Sequence, residues 1–311
     1  MIELGGSGGL FGGNYNPERY KKIMEESLRG TVDVEFDASV NGLIADYLSE
    51  CPRDVGLTED RLSEIKDKLG NEIEGSFKTL FGGSVKKHTY VDGLSDVDVL
   101  LCINRTEFQD MTPPQILDSI KKTLISSNIK DVDEIRVGSL AITIRYKNGD
   151  EIQLLPSIKK GEGFKIPDKD GWSNVIHPEN FAKKLVKVNQ ENHGKVVPTI
   201  KMVKGILSNL PDDQKLKGYH IEALAISAFD GVNKSMSNQE RLLYYFQSAK
   251  ENVKKPITDS TKQSDYVDYY LGAENSPGRL RASYTLDRIY RRMKRASELH
   301  DIEEWQAILG E

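Results

Sequence analysis

Residues 82–101 read GGSVKKHTYVDGLSDVDVLL, a Gly-Gly-Ser turn, eleven residues, and then Asp96 and Asp98 alternating with aliphatics. Successive side chains of a β-strand point to opposite faces, so this alternation predicts that the two aspartates project together while Val97, Val99 and Leu101 enter a core. Two carboxylates on one strand face can hold Mg²⁺, a hard cation that is bound through carboxylates together with substrate phosphates. A Gly-Gly-Ser turn adds exposed backbone N–H groups and a hydroxyl, donors suited to cradling the phosphates that such a metal bridges. Asp-x-Asp alone is also what an edge strand with two solvated aspartates looks like, and the upstream turn is what sets this one apart.

The rest of the chain is consistent with a mixed fold. Leu62, Ile65, Leu69, Ile73 and Phe77 recur at intervals of three and four, which predicts an amphipathic helix over Leu57 to Phe77 leading straight into the turn. Upstream, Pro17 to Glu50 reads as one or two helices. Downstream, Thr112-Pro113-Pro114 opens a helix through about Ser126, with proline at a tolerated first-turn position. Two strands follow, Ser139 to Tyr146 and Glu151 to Ile158, joined by Lys147-Asn148-Gly149-Asp150, because Asn-Gly between alternating apolar runs is a hairpin signal. From Pro178 on, five segments carry helical patterns. Strands followed by helices argue for an α+β chain with a helical second lobe, divided in the loop from Gly161 to Ser173 into residues 1–165 and 166–311, with a cleft between the lobes.

Charge narrows the partners. With 43 basic and 48 acidic residues in 311, the chain has a net charge of −5 and offers no global field for a nucleic-acid backbone, so polymeric RNA or DNA is not the expected substrate, although a local basic cleft would escape this argument. Cys51 and Cys102 are too few for a disulfide framework or a zinc site, which suits a reducing cytosol. No apolar run approaches the length of a membrane span, and the start of the sequence lacks the order of a signal peptide; a cytoplasmic protein is expected. The glycine-rich start, GGSGGLFGGNYNP, has no Gly-Lys-Ser/Thr and no preceding strand, so it reads as a flexible lead-in.

The Gly-Ser turn, the spacer and the Asp-x-Asp strand resemble the nucleotidyltransferase superfamily, and within it the bacterial cGAS/DncV-like nucleotidyltransferases, the CD-NTases that make cyclic oligonucleotide signals in CBASS antiphage defence. Three further segments look like landmarks of that family: the helix with Lys201 and Lys204, the run Gly218-Tyr219-His220-Ile221-Glu222, and the terminal stretch from Trp305 to Gly310. The resemblance implies a bilobal nucleotidyltransferase fold, a mixed β-sheet core with flanking helices plus the helical lobe. It implies Mg²⁺, or alternatively Mn²⁺, on Asp96 and Asp98; Gly83 and Ser84 on the β- and γ-phosphates; Lys204, with Lys201 second, on the donor triphosphate; and Gly218 where the family often has a serine. ATP and other nucleoside triphosphates would be the substrates, a HORMA-type protein an activator, and a cyclic-nucleotide-sensing protein the effector. Nucleobases commonly stack on aromatics, which makes Tyr269, with Tyr270 beside it, a candidate.

One position departs from the family. The strand that should carry a third acid reads Ile152-Gln153-Leu154-Leu155-Pro156, with Gln153 in the acid's place. An amide oxygen can ligate Mg²⁺ but carries no charge and takes no proton at neutral pH. Glu151 lies on the same strand face, about 6 to 7 Å away. Three arrangements are open, in this order: Glu151 replaces the lost acid with Gln153 as a neutral ligand; the enzyme runs on Asp96 and Asp98 with a weaker base; or activity is lost. The competing functions are accordingly a cyclic oligonucleotide synthase, a nucleotidyltransferase with an RNA, protein or small-molecule acceptor, and a nucleotide-binding pseudoenzyme. The basic run Arg291, Arg292, Lys294, Arg295 reads as a solvated helix face, with phosphate contact as its alternative.

Overall fold

The computed structural model describes residues 17–50, 55–72, 76–81, 97–104, 108, 111–168, 171–232, 234–262 and 264–310. Helices α1 (Pro17–Glu50) and α2 (Val55–Glu72) lead into strands β1 (Ser76–Phe81) and β2 (Val97–Asn104). Then come α3 (Pro113–Ser126), β3 (Val132–Val137), β4 (Ile142–Tyr146) and β5 (Glu151–Lys160), followed by the short β6 (Gly163–Lys165), β7 (Pro167–Asp168) and β8 (Gly171–Trp172). The remainder is helical: α4 (Pro178–Glu191), α5 (Val196–Ser208), α6 (Gly218–Phe229), α7 (Asn238–Asn252), α8 (Pro277–Glu298) and α9 (Ile302–Leu309).

The main sheet runs β1-β2-β5-β4-β3, with β6 on the far end of β5. β2 and β5 are parallel, and the other pairs of that path are antiparallel. Leu62, Ile65 and Leu69 of α2 and Ile116, Leu117, Ile120 and Leu124 of α3 form the helical side of one core. Val99, Leu101 and Ile103 of β2, Ile142 and Ile144 of β4, and Ile152 and Leu154 of β5 form its sheet side. Fully burying each of these aliphatics contributes about 1.5–3 kcal/mol, which is why the period-two residues lie face down here. At the hairpin, Gly149 takes φ +94°, a left-handed conformation that suits glycine. Arg61 of α2 fixes this turn, lying 3.8 Å over the Tyr146 ring and 2.6 Å from Asp150 Oδ2.

The other face of β2 is covered as well: Leu100 and Cys102 pack with Phe164, Ile166 and Ile176. Cys102 is buried and forms no disulfide among the described residues. A second large core lies in the helical part, and α1 belongs to it through Phe36, Val40 and Ile44. α1 approaches α5 so closely that a Cβ at Gly205 would collide with the Tyr47 hydroxyl. Among the described residues, no helix is long and apolar enough to cross a membrane.

Several expected boundaries are corrected. The helix expected through Phe77 ends at Glu72, and Phe77 lies in β1, paired with Ile103. Ser-Phe-Lys-Thr-Leu-Phe is rich in β-forming residues, and ladder bonds to β2 decide against the helical register. β3, unexpected from the sequence, is an edge strand whose exposed residues hide its period. The expected loop at 161–173 contains β6, β7 and β8. The last helical run splits into α8 and α9, where His300 takes φ +52° and Asp301 caps α9 through Glu304 N–H.

Candidate functional site

The sheet supplies the first group. β5 alternates buried Ile152 and Leu154 with half-buried Glu151, Gln153 and Leu155, so the latter three lie on the face away from α2 and α3. Gln153 pairs with Asp98 of β2 on one side and Thr143 of β4 on the other, and Thr143 pairs with Arg136 of β3. One row across the sheet is therefore Arg136, Thr143, Gln153, Asp98. The next row holds Glu134, Arg145 and Glu151. Gly83, Ser84 and Asp96 lie outside the described residues, and of Asp98 the backbone position alone is described.

Glu151 is engaged. Its Oε1 accepts from Arg136 Nη2 at 2.8 Å and lies 3.7 Å from Arg145 Nε, with the side chain 23% exposed. Two guanidiniums pair with its side chain and turn it toward β3 and β4. The sequence reading missed both arginines, because their relation to Glu151 depends on antiparallel register.

The helices supply the second group. Lys201 and Lys204, one turn apart on α5, are both buried, and Lys204 Nζ bonds Glu222 Oε1 of α6 at 3.0 Å with both side chains nearly inaccessible. A buried charge is tolerated when it is paired, and the Glu222 carboxylate is such a partner for Lys204 inside the fold. Glu222 was in view as part of Gly218-Tyr219-His220-Ile221-Glu222, yet its partner lies eighteen residues back on another helix.

Gly218 opens α6, and among the described residues the side chain of its N-cap residue Lys217 makes no capping hydrogen bond. The N–H groups that open a helix and the helix dipole favour an anion. A Cβ at Gly218 would sit 3.5 Å from Lys204 Cε and 3.6 Å from Nζ, an ordinary contact, so the site has room for a serine. Gly218→Ser is expected to tighten binding of a non-hydrolysable ATP analogue about fivefold, the effect of one added hydrogen bond. Equilibrium titration checks this, and unchanged or weaker binding would remove Gly218 from the phosphate site. Lys204→Ala is a poorer probe because it also removes the buried ion pair with Glu222 and so disturbs the fold.

Tyr269 is 65% exposed, and Lys217, the residue before α6, approaches its ring centroid at 5.7 Å and that of Tyr270 at 4.7 Å. Tyr270 faces inward: its hydroxyl meets His220 Nδ1 at 2.9 Å and accepts from Lys217 N–H at 3.2 Å. Beneath it lie His220, Asp268 and Arg279, all wholly buried. Asp268 Oδ2 accepts from Arg279 Nη1 at 2.6 Å and lies 3.3 Å from His220 Nε2. Burial opposes ionisation of Asp268, but the hydrogen bonds from Arg279 and Ile257 N–H outweigh it and hold the carboxyl below its ordinary range. Burial pushes the His220 imidazole down to about 4, against a smaller upward pull from Asp268. Thus Lys204, Gly218 and Tyr269 are gathered around the start of α6, with Lys201 one turn back from Lys204 on α5, while Glu151, Gln153 and the Asp98 backbone share the sheet face.

No protein-family model matches the chain, and no curated protein matches it. Among solved structures it resembles the CD-NTase CdnG of Bradyrhizobium diazoefficiens in complex with GTP, with TM-score 0.65 and 14% identity over 87% of this chain and 94% of that one. It resembles CdnC of E. coli MS115-1 with ATP at TM-score 0.61 and 12% identity, over 86% of this chain and 96% of that one. The cyclic AMP-GMP synthase DncV of Vibrio cholerae aligns at TM-score 0.61 and 12% identity, over 94% of this chain and 90% of that one. At such identities the likeness is one of fold: the chain has the nucleotidyltransferase fold of the CD-NTases over nearly its whole length.

Proposed function

We propose that the protein joins nucleoside triphosphates, ATP among them, into a cyclic di- or trinucleotide signal for antiphage defence, releasing pyrophosphate. The observation that carries this reading is the parallel pairing of Asp98 with Gln153, which sets the Asp-x-Asp strand beside the strand of the third ligand. Asp98 and Asp96 would hold Mg²⁺ or Mn²⁺, with the Gln153 amide oxygen as a neutral donor; an all-oxygen set suits a hard cation. When bound, the metal would neutralise charge that develops on the phosphoryl oxygens. Lys204 and the N–H groups opening α6 would hold the donor triphosphate, and Tyr269 would offer its exposed ring to a base. CdnC of E. coli has also been solved in a complex with HORMA-deltaN, which supports a HORMA-type activator for this chain.

Of the three arrangements left open by the sequence, the arginine pairs on Glu151 favour the second, a site with two aspartates and a weak base. Gln153→Asp is then expected to raise turnover on the order of 100-fold by adding a charge and a proton acceptor. Glu151→Gln would change it less than about threefold, since a general base is worth at least 100-fold. Initial rates of pyrophosphate release measure both, and a 100-fold loss in Glu151→Gln would put the missing acid at Glu151. The neutral Gln153 also supports a second reading, a nucleotide-binding pseudoenzyme.

One incubation separates the functions: purified protein, labelled nucleoside triphosphates, Mg²⁺ or Mn²⁺, and resolution of phosphatase-resistant products. A cyclic product is expected. Label found only on added RNA, protein or drug would make the protein a transferase to that acceptor. Binding without turnover, with candidate activators present, would make it a pseudoenzyme.

A further inference from the structure

Helix α8 carries a basic face that the proposed reaction does not use. Its inner side, Ala282, Thr285, Leu286, Ile289, Met293 and Ala296, is buried and fixes the helix in place. Its outer side bears Arg281, Tyr284, Arg288, Arg291, Arg292 and Arg295, all exposed. Tyr284, Asp287, Arg288, Arg291, Arg292 and Arg295 line an open groove of about 240 Å³. Five guanidiniums thus share one helix face in a chain whose net charge is −5.

Local acids only partly neutralise them. Arg291 pairs with Asp287 at 2.7 Å, but Asp287 is also taken by Lys250 at 2.7 Å. Arg292 pairs with Glu304 at 2.6 Å, and Arg288 donates to Gln214 Oε1 at 3.0 Å. Among the described residues no acid pairs with Arg281 or Arg295. Exposed ion pairs contribute about 0–1 kcal/mol, so a phosphate can displace the acids at small cost.

We propose that this face binds the phosphate backbone of single-stranded nucleic acid, at a place separate from the nucleotidyl-transfer site and independent of what that site makes. Three features select this ligand. The planar guanidinium fork matches phosphate oxygens in pairs. The row from Arg281 to Arg295 extends about 21 Å along the helix, and from Tyr284 on it lines the open groove, a shape for a polymer rather than for an enclosed small molecule. Tyr284, 70% exposed among the arginines, offers a ring on which an unpaired base can stack, a contact that an acidic peptide would leave unused. The overall negative charge would keep other surfaces from competing.

Fluorescence anisotropy with a labelled 20-nucleotide single-stranded RNA and the full chain tests this. Binding is expected to weaken with salt, and log K against log salt should fall with a slope of about −2 to −3.5 for three to five neutralised phosphates. Arg291→Glu with Arg295→Glu should lower affinity at least tenfold and flatten the slope by at least about 1.4, with the melting temperature recorded as a check on folding. Tyr284→Ala, which leaves charge unchanged, should weaken binding at least fivefold without changing the slope. The proposal is overturned by absent binding, by both variants binding as the parent does, or by polyglutamate or free ATP displacing the RNA at equal charge concentration.

Discussion

Replacing Asp96 and Asp98 together with asparagine is expected to abolish nucleotide transfer, by about 10³-fold or more, while the protein stays folded. Asparagine keeps the shape and some hydrogen-bonding capacity of aspartate but removes both negative charges, so on the proposed reading a divalent cation would lose its anionic ligands and the triphosphate its bridge to the protein. Removing interactions made with developing transition-state charge costs factors of 10² to 10³ each. The fold should tolerate the change. β2 is held by its ladders to β1 and β5 and by Val99, Leu101 and Ile103 in the core. Product formation and thermal melting of the same sample provide the measurement. Turnover equal to the parent's would place the reaction elsewhere in the chain.

Arg279→Ala is expected to destabilise the protein by about 3–5 kcal/mol, the usual effect of breaking a buried pair. Arg279 donates to Asp268 Oδ2 and to the carbonyls of Val253, Lys255, Asp268 and Gly272, and so ties the segment between α7 and α8 to one wholly buried side chain. Without it Asp268 remains a buried carboxylate and four carbonyls lose a donor. The midpoint should fall by roughly 10 °C at 2–4 °C per kcal/mol. Lysine should not rescue, because one ammonium cannot direct donors along these separate lines. A shift below about 2 °C would mean that the network contributes little. On the proposed reading the same substitution should also weaken nucleotide binding, since this segment carries Tyr269.

His220 adds a pH dependence to the same network. Its folded pKa of about 4 lies below its ordinary 6.5, so between those values the unfolded chain binds a proton that the folded chain does not. Stability therefore falls as pH drops through this window and gains nothing from His220 above it.

Much of the sheet was legible because its buried rows are continuous: Ile142 and Ile144, and Ile152 and Leu154, alternate with the polar Thr143 and Gln153, and Val99 and Leu101 continue the alternation begun by Val97 and Asp98. Helices α3 and α4 to α7 were legible for the same reason at helical period. β1 was lost because Phe77 fits the helical spacing of Leu62, Ile65 and Leu69, and only its pairing with Ile103 decides between the two. β3 was lost because an edge strand facing water need not alternate. Lys204 and Gly218 could be named from the chain, but that Glu222 holds Lys204, and that a Cβ at Gly218 would touch it, required α5 and α6 to be packed together.

From the sequence alone came the Gly-Gly-Ser and Asp-x-Asp motifs and, through the family resemblance, the expectation that Gln153 stands where an acid would, because motifs are written in consecutive residues. Tertiary structure alone decided what surrounds them: Asp98 opposite Gln153, Glu151 between two arginines, Arg279 beneath Tyr270, and a basic stripe on an acidic protein. These depend on strand register and helix packing, which bring together residues whose separation in the chain carries no signal of their contact.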